Sequence, residues 1–214
     1  MPREDMERRV AEVFGAGDRD ELVRAYASWA ERYDEDMLGL EMRGPEIVAS
    51  MAARYVRDRA SPILDAGAGT GRVGELLAIL GYCNLIALDV SDAMLARARE
   101  RGAYCALHLG ALGDPLAFAD AAFGAVVAAG VFTAGHAPPS SFDELLRVTR
   151  SSGLVIFTLA TSAYELGGFK EKLEALERDG RWRLVEATAP FHGLRGSDAY
   201  RDHTGRVLVY EVVG

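Results

Sequence analysis

The stretch 62-PILDAGAGTGRVGELLAILG-81 decides the fold. It reads as a short apolar strand, a turn built on Gly67, Gly69 and Gly71, and then a helix. The same alternation continues outward. Strands are expected at 84-NLIALDV, 103-AYCALHLG, 123-FGAVVAAG and 153-GLVIFTLA, with helices at 91-SDAMLARARERG and 140-SSFDELLRVTR between them. Because the strand runs are continuously apolar, each strand is expected to be covered on both faces, as in a parallel sheet. A further helix at 167–180 and two strands, at 182–191 and 206–213, close the chain. The expected architecture is a three-layer α/β Rossmann-like fold. Its seven-stranded sheet is mostly parallel with an antiparallel last strand.

Residues 1–60 read differently, as an N-terminal helical lid segment ahead of a domain at 61–214. In 18-DRDELVRAYASWAERYDEDM-37 the residues Leu22, Tyr26, Trp29, Tyr33 and Met37 recur at helical spacing, which predicts one continuous helix. Asp18 and Glu21 form a capping box at its start. Gly44-Pro45 ends this pattern, and a second helix is expected over 46–60.

Composition narrows the class. The chain has 214 residues and a net charge of -8, with 50% hydrophobic residues. A chain of this length buries about 70% of its unfolded surface and needs no staples. The acidic balance argues against nucleic acid, since Arg97, Arg99 and Arg101 sit at the spacing of a solvated helix face. The residues MPREDMERRV lack an apolar run, so no signal peptide is expected. The uncharged run 121–137 reads as a buried strand with its loop and not as a membrane span. Cys83 and Cys105 show no metal spacing, and are expected as buried, reduced thiols in a cytoplasmic protein. Neither a metal nor a membrane is expected as partner, and oligomeric state is not legible.

The glycine turn has two registers. Gly69, Gly71 and Gly74 match the dinucleotide pattern GxGxxG; Gly67, Gly69 and Gly71 match GxGxG with Asp65 just ahead. A pyrophosphate over this turn would meet the Asp65 carboxylate, at a cost of several kcal/mol if partly desolvated. A cationic, phosphate-free ligand such as S-adenosylmethionine (SAM) suits it better. Asp89, ending the next strand, is placed to accept from both hydroxyls of a ribose.

With ILDAGAGTG (63–71), LDVSDAML (88–95), LGALGDPLAF (109–118), FGAVVAAGVF (123–132) and FDELLRVTRSSGLVIFTLA (142–160) in this order, the chain resembles the class I SAM-dependent methyltransferases over roughly residues 20 to 214. The segments YASWAERYD (26–34) and GGFKEKLEALERDGRW look like the methyltransferase-like subfamily named after the Williams-Beuren region. The resemblance implies that Asp65, Ala66, Gly67, Gly69 and Gly71 hold the methionine end and Asp89 the ribose. Val90 and Met94 would flank the adenine, Ala111 and Leu112 meet its edge, and Gly130 lie near the methyl-bearing sulfur. Tyr33 and Trp29 would cross the cofactor from the lid. Where relatives usually carry an acid for the adenine amino group this chain has Ala111; Asp114, backbone or water are the substitutes the sequence offers.

Methyl transfer from SAM to a small-molecule acceptor, by in-line displacement, is therefore the expected activity. The rivals are an NAD(P)-dependent oxidoreductase and a SAM-binding protein without catalysis. Candidate substrate residues, all on segments beyond the carboxyl ends of the strands, are Trp29, Thr133, Tyr164, His192, Tyr200 and His203. His136, following the fourth strand, is the candidate base or acceptor-positioning group.

Overall fold

A computed structural model describes residues 3–133 and 135–214. Four helices come first: α1 (Arg3–Phe14), α2 (Arg19–Trp29), α3 (Tyr33–Gly39) and α4 (Gly44–Tyr55). The alternating part follows as β1 (Ile63–Ala66), α5 (Arg72–Ile79), β2 (Leu85–Asp89), α6 (Asp92–Glu100), β3 (Ala106–Leu109), β4 (Phe123–Phe132), α7 (Ser141–Val148) and β5 (Thr149–Ala160). It closes with α8 (Thr161–Leu166), α9 (Phe169–Arg178), β6 (Trp182–Ala187), β7 (Phe191–His192) and β8 (Thr204–Val212).

The sheet runs β3-β2-β1-β4-β5-β8-β6, with the two-residue β7 added against β8. Neighbours from β3 to β5 pair in parallel, and β8 is antiparallel to β5, β6 and β7. The expected architecture holds, with β7 as an eighth, very short strand. Alternate residues feed opposite faces: Leu64, Val126 and Phe157 pack under α7 and α9, while Ile63, Val127 and Ile156 pack under α4 and α5. The apolar run at 121–137 becomes β4 and its loop. Among the described residues no helix is long and apolar enough to cross a membrane.

The N-terminal segment divides. Val48, Ala49 and Ala52 of α4 belong to the core beneath the sheet. Helices α1 to α3 instead build their own cluster from Val10, Val13, Leu22, Trp29, Met37 and Leu40, closed by Leu194. The single helix expected over 18–37 is broken at 30–32. The break re-aims α3: Asp36 turns back to accept from the Trp29 indole at 2.7 Å, and Asp34 reaches Thr70 at 2.5 Å. Asp18 caps α2 by accepting from the Glu21 amide, and Glu21 reaches back to the Gly17 amide, one residue before the cap. The second helix starts at Gly44, earlier than expected. Pro45 falls in its first turn, where a missing N–H costs nothing.

Two expectations are corrected. Both cysteines are exposed and free, because 83 and 105 fall outside the strands on surface turns, where the Cys105 thiol donates to the Cys83 carbonyl. Arg101 is not a solvated side chain. Its guanidinium donates to the Thr70 carbonyl at 2.6 Å, to Glu75 at 2.6 Å and to Asp34.

Candidate active site

The crevice opens where β1 sits between β2 and β4, so that the connections leaving it diverge. Gly67 and Ala68 donate to the Leu88 carbonyl at 2.8 and 3.0 Å, which ties the turn to β2. Gly69 and Gly71 have φ of 55° and 86°, a left-handed backbone that a side chain resists. Asp89 organises this turn: one carboxylate oxygen accepts from the Gly69 amide and the other from Ser91, each at 2.8 Å. Burial pushes its carboxyl up, and these backbone donors pull it back down. Ser91, fully buried, caps α6 by accepting from the Met94 amide.

The cleft walls come from the sequence-expected residues Gly67, Gly69, Asp89, Val90 and Met94 on one side, and Ala111, Leu112 and Gly130 on the other. Arg19, Leu22, Tyr26 and Tyr33 cover it from α2 and α3, and His136 and Pro138 complete the rim. A second, apolar chamber adjoins it, and Tyr26, Tyr33 and Gly130 line both spaces. Gly130 sits at an irregularity of β4, with φ of 76° and its amide bonded to the Thr158 hydroxyl at 2.7 Å. Such a bulge re-aims a strand beside a site.

Other sequence candidates lie elsewhere. Asp65 and Ala66 are buried and do not line the cleft; nor does Gly71, which starts α5. The Asp65 carboxylate accepts from the Tyr104 hydroxyl at 2.6 Å, and its other oxygen has no partner. Gly74 explains itself through the same tyrosine, since a Cβ there would lie 2.3 Å from its oxygen. The third glycine of GxGxxG is thus a packing glycine, a role that does not choose between the two registers. Asp114 is not free to meet an adenine: Arg19 holds both its oxygens, at 2.6 and 2.9 Å. Trp29, Thr133 and His203 line the chamber, whereas Tyr164, His192 and Tyr200 do not. His192 bonds to the Arg201 carbonyl, and Tyr200 packs behind Phe14. His136 is on the cleft side, its Nε2 bonded to the Tyr26 hydroxyl at 2.8 Å. Sequence reading missed Phe14, Tyr104 and Thr158, for which no motif or spacing gave a signal.

Burial pushes the Asp65 carboxyl up to about 7 from 3.8, although the Tyr104 hydroxyl pulls it down. The unfolded chain therefore loses this proton near pH 4 while the folded chain keeps it to near 7. Stability falls as pH rises through that window, by about 1.4 kcal/mol per pH unit where the proton difference is complete, and stays lowered above it. Asp65→Asn removes this contribution. Ligand-free melting should show the variant gaining on the wild type between about pH 5 and about pH 8. A variant that instead loses more at the higher pH would show that Asp65 is held as a stabilising anion.

Residues 64–157 match the methyltransferase domain family. Over 186 residues the chain is 33% identical to methyltransferase-like protein 27 of Homo sapiens, spanning 84% of this chain and 75% of that one. The chain belongs to the class I SAM-dependent methyltransferases, and SAM is its methyl donor. It is also 34% identical over 119 residues to a malonyl-[acyl-carrier protein] O-methyltransferase of Erwinia pyrifoliae, spanning 56% of this chain and 43% of that protein. Among solved structures, the complex of the Haloferax volcanii Trm112 activator with a methyltransferase aligns at TM-score 0.64 and 18% identity, covering 87% and 95% of the two chains. The [4+2]-cyclase SpnF aligns at 0.60 and 20%, covering 79% and 81%.

The residues present fit this donor. A Cβ at Gly69 or at Gly130 would meet nothing within 4 Å, so both glycines face open space. Asp89 still has lone pairs for two further donors after its two backbone bonds. Among the described residues the one Arg or Lys on the cleft wall, Arg19, is already paired with Asp114.

Proposed function

We propose that this enzyme methylates a small-molecule acceptor held in the apolar chamber, with SAM in the adjoining cleft. The observation that carries this reading is Gly130, which lines both spaces on a bulge of β4. SAM supplies an activated methyl on a sulfonium. In the proposed arrangement Gly67 and Gly69 receive the methionine end, while Asp65, Ala66 and Gly71 shape that turn from beneath. Asp89 accepts from the ribose hydroxyls. Val90, Met94, Ala111 and Leu112 enclose the adenine, and Gly130 lies nearest the sulfur. A nucleophile entering through the chamber would then approach in line, and the chain's contribution is alignment and exclusion of water. His136, committed to the Tyr26 hydroxyl, positions that ring at the junction. The Erwinia relative is named for a malonyl acceptor. A carboxylate acceptor would need a cation, and among the described residues no Arg or Lys lines the chamber. That absence and the net charge of -8 also disfavour nucleic acid. Two exposed free thiols fit a reducing, cytoplasmic setting. A screen of a metabolite extract with labelled SAM should put the label into a small organic product. Label found only in protein or RNA would refute this acceptor class.

Helices α1 to α3 act as the lid in this proposal. Two clasps hold them down: Arg19–Asp114 on the adenine side, and Asp34 with Thr70 and Arg101 at the glycine turn. SAM enters only if these part; Arg19–Asp114 is solvent-exposed and yields easily, whereas Arg101 is mostly buried and ties Asp34 more firmly. Amide exchange over residues 20–40 should slow markedly when SAM is added. Equal protection with and without SAM would make these helices fixed walls.

A further inference from the structure

Resting on the reading that the acceptor occupies the chamber, we propose that the acceptor is a single-ring aromatic hydroxyl compound and that His203 is the catalytic base that takes its proton. The walls select the body of the ligand. Phe14, Trp29, Phe132 and Phe191 surround about 100 Å³ of free space. An apolar cavity of about 150 Å³ accepts benzene, so this smaller space, continuous with the cleft, has room for no more than one ring. Among the described residues no Asp, Glu, Lys or Arg lines the chamber, which leaves neither an ammonium nor a carboxylate a counter-charge.

The polar groups select the reacting atom. Most are already committed: Trp29 donates to Asp36, Tyr26 bonds to His136, Thr158 accepts from Gly130, and Thr204 bonds to Thr161. The His203 imidazole has no hydrogen bond among the described residues, and lies at the correct end of the sheet. It immediately precedes β8, whose Gly205 pairs with Ala160 at the carboxyl end of β5. Its ring packs on Phe14, with centroids 5.2 Å apart, and occupies space left by Gly193, where a Cβ would lie 2.8 Å from Cδ2. Its backbone is tied on both sides, to the Tyr200 carbonyl and the Gly193 amide. The titratable groups facing the chamber beside it are Tyr26 and Tyr33, with Tyr200 behind Phe14, and all three hold their protons. Burial keeps the imidazole neutral by lowering its pKa.

A neutral amine needs no base, and an aliphatic hydroxyl yields its proton to imidazole less readily than a phenol does. A phenolic hydroxyl, with a pKa of about 10, lies within its reach as the new bond forms. The phenolic oxygen bonds the methyl carbon while its proton passes to His203. The carbon–sulfur bond breaks with its electron pair remaining on sulfur, which turns the sulfonium into a neutral thioether. The imidazolium then releases its proton to water.

The test uses the full chain saturated with S-adenosylhomocysteine and 2-chloro-4-nitrophenol as probe, a phenol more acidic than an ordinary imidazolium, at a pH where the free probe is mostly protonated. Equilibrium dialysis reads binding and the visible phenolate band reads proton transfer. We expect the wild type to bind the probe and show the band. His203→Gln should bind probe and S-adenosylhomocysteine but lose the band, and His108→Gln, on β3 away from the chamber, should keep it. A band that survives in His203→Gln, or that is absent from the wild-type complex, overturns the role of His203. Failure of the probe to bind while S-adenosylhomocysteine binds normally overturns the acceptor class alone. Loss of S-adenosylhomocysteine binding, read separately by calorimetry, would instead strike the cofactor assignment on which both rest.

Discussion

Gly69→Val is expected to leave the chain folded and to weaken binding of SAM and S-adenosylhomocysteine by on the order of 100-fold or more. The side chain would project into open space, since nothing lies within 4 Å of its Cβ, so the fold loses only the cost of a left-handed valine. That cost is about 1–3 kcal/mol. The new methyls would fill the volume assigned to the methionine end. Gly67→Val makes the contrast. There the Cβ would lie 2.3 Å from a Val131 methyl with φ at 79°, so this variant should fail by unfolding. Asp89→Ala should weaken SAM and S-adenosylhomocysteine equally, because the ribose is common to both and the Gly69 amide loses its acceptor. Calorimetry on the three variants, with melting curves beside it, reads all of this. A Gly69→Val protein that binds S-adenosylhomocysteine normally would move the cofactor off this turn.

Arg9→Ala should be the most damaging change in the N-terminal layer. Asp36 is fully buried, and one of its oxygens accepts from both Arg9, at 2.6 Å, and the Trp29 indole, at 2.7 Å. Its other oxygen has no partner among the described residues. Removing the guanidinium leaves a buried carboxylate facing the Trp29 indole, a loss of about 3–5 kcal/mol. Because α1 to α3 form a cluster of their own, the loss should appear as an early melting transition ahead of the main one. Replacing the pair together, as Arg9→Met with Asp36→Leu, should recover most of it, since apolar replacement of a whole buried pair is close to neutral. A single unshifted transition in Arg9→Ala would show that the pair does not hold this layer.

The order of strands and helices, the glycine turn and Asp89 were legible because each rests on local spacing: continuous apolar runs, left-handed turn positions, an acid at a strand end. What stayed hidden depends on partners far along the chain. The helix at 18–37 keeps its apolar period across the break at 30–32, and only the pull of Asp34 on Thr70 and Asp36 on Trp29 reveals it. Tyr104 under the turn and Arg101 at the lid are set by contacts of some thirty residues or more in sequence. The chamber gathers Val10, Trp29, Gly130, Thr158 and His203 from five separate segments, a grouping that no periodicity announces. His136 followed the right strand and was the natural base on position, but the chain commits its ring to Tyr26 on the cleft side. Asp65 is buried, and its carboxylate accepts from the Tyr104 hydroxyl, a partner that the turn motif does not announce.

Isothermal calorimetry of the metal-free full chain with S-adenosylhomocysteine, and separately with NAD, bears most directly on the site. The assignment predicts affinity in the range of about 1–100 μM for S-adenosylhomocysteine, roughly -8 to -5 kcal/mol, with no measurable heat from NAD. Tight NAD binding with none for S-adenosylhomocysteine or SAM would contradict it.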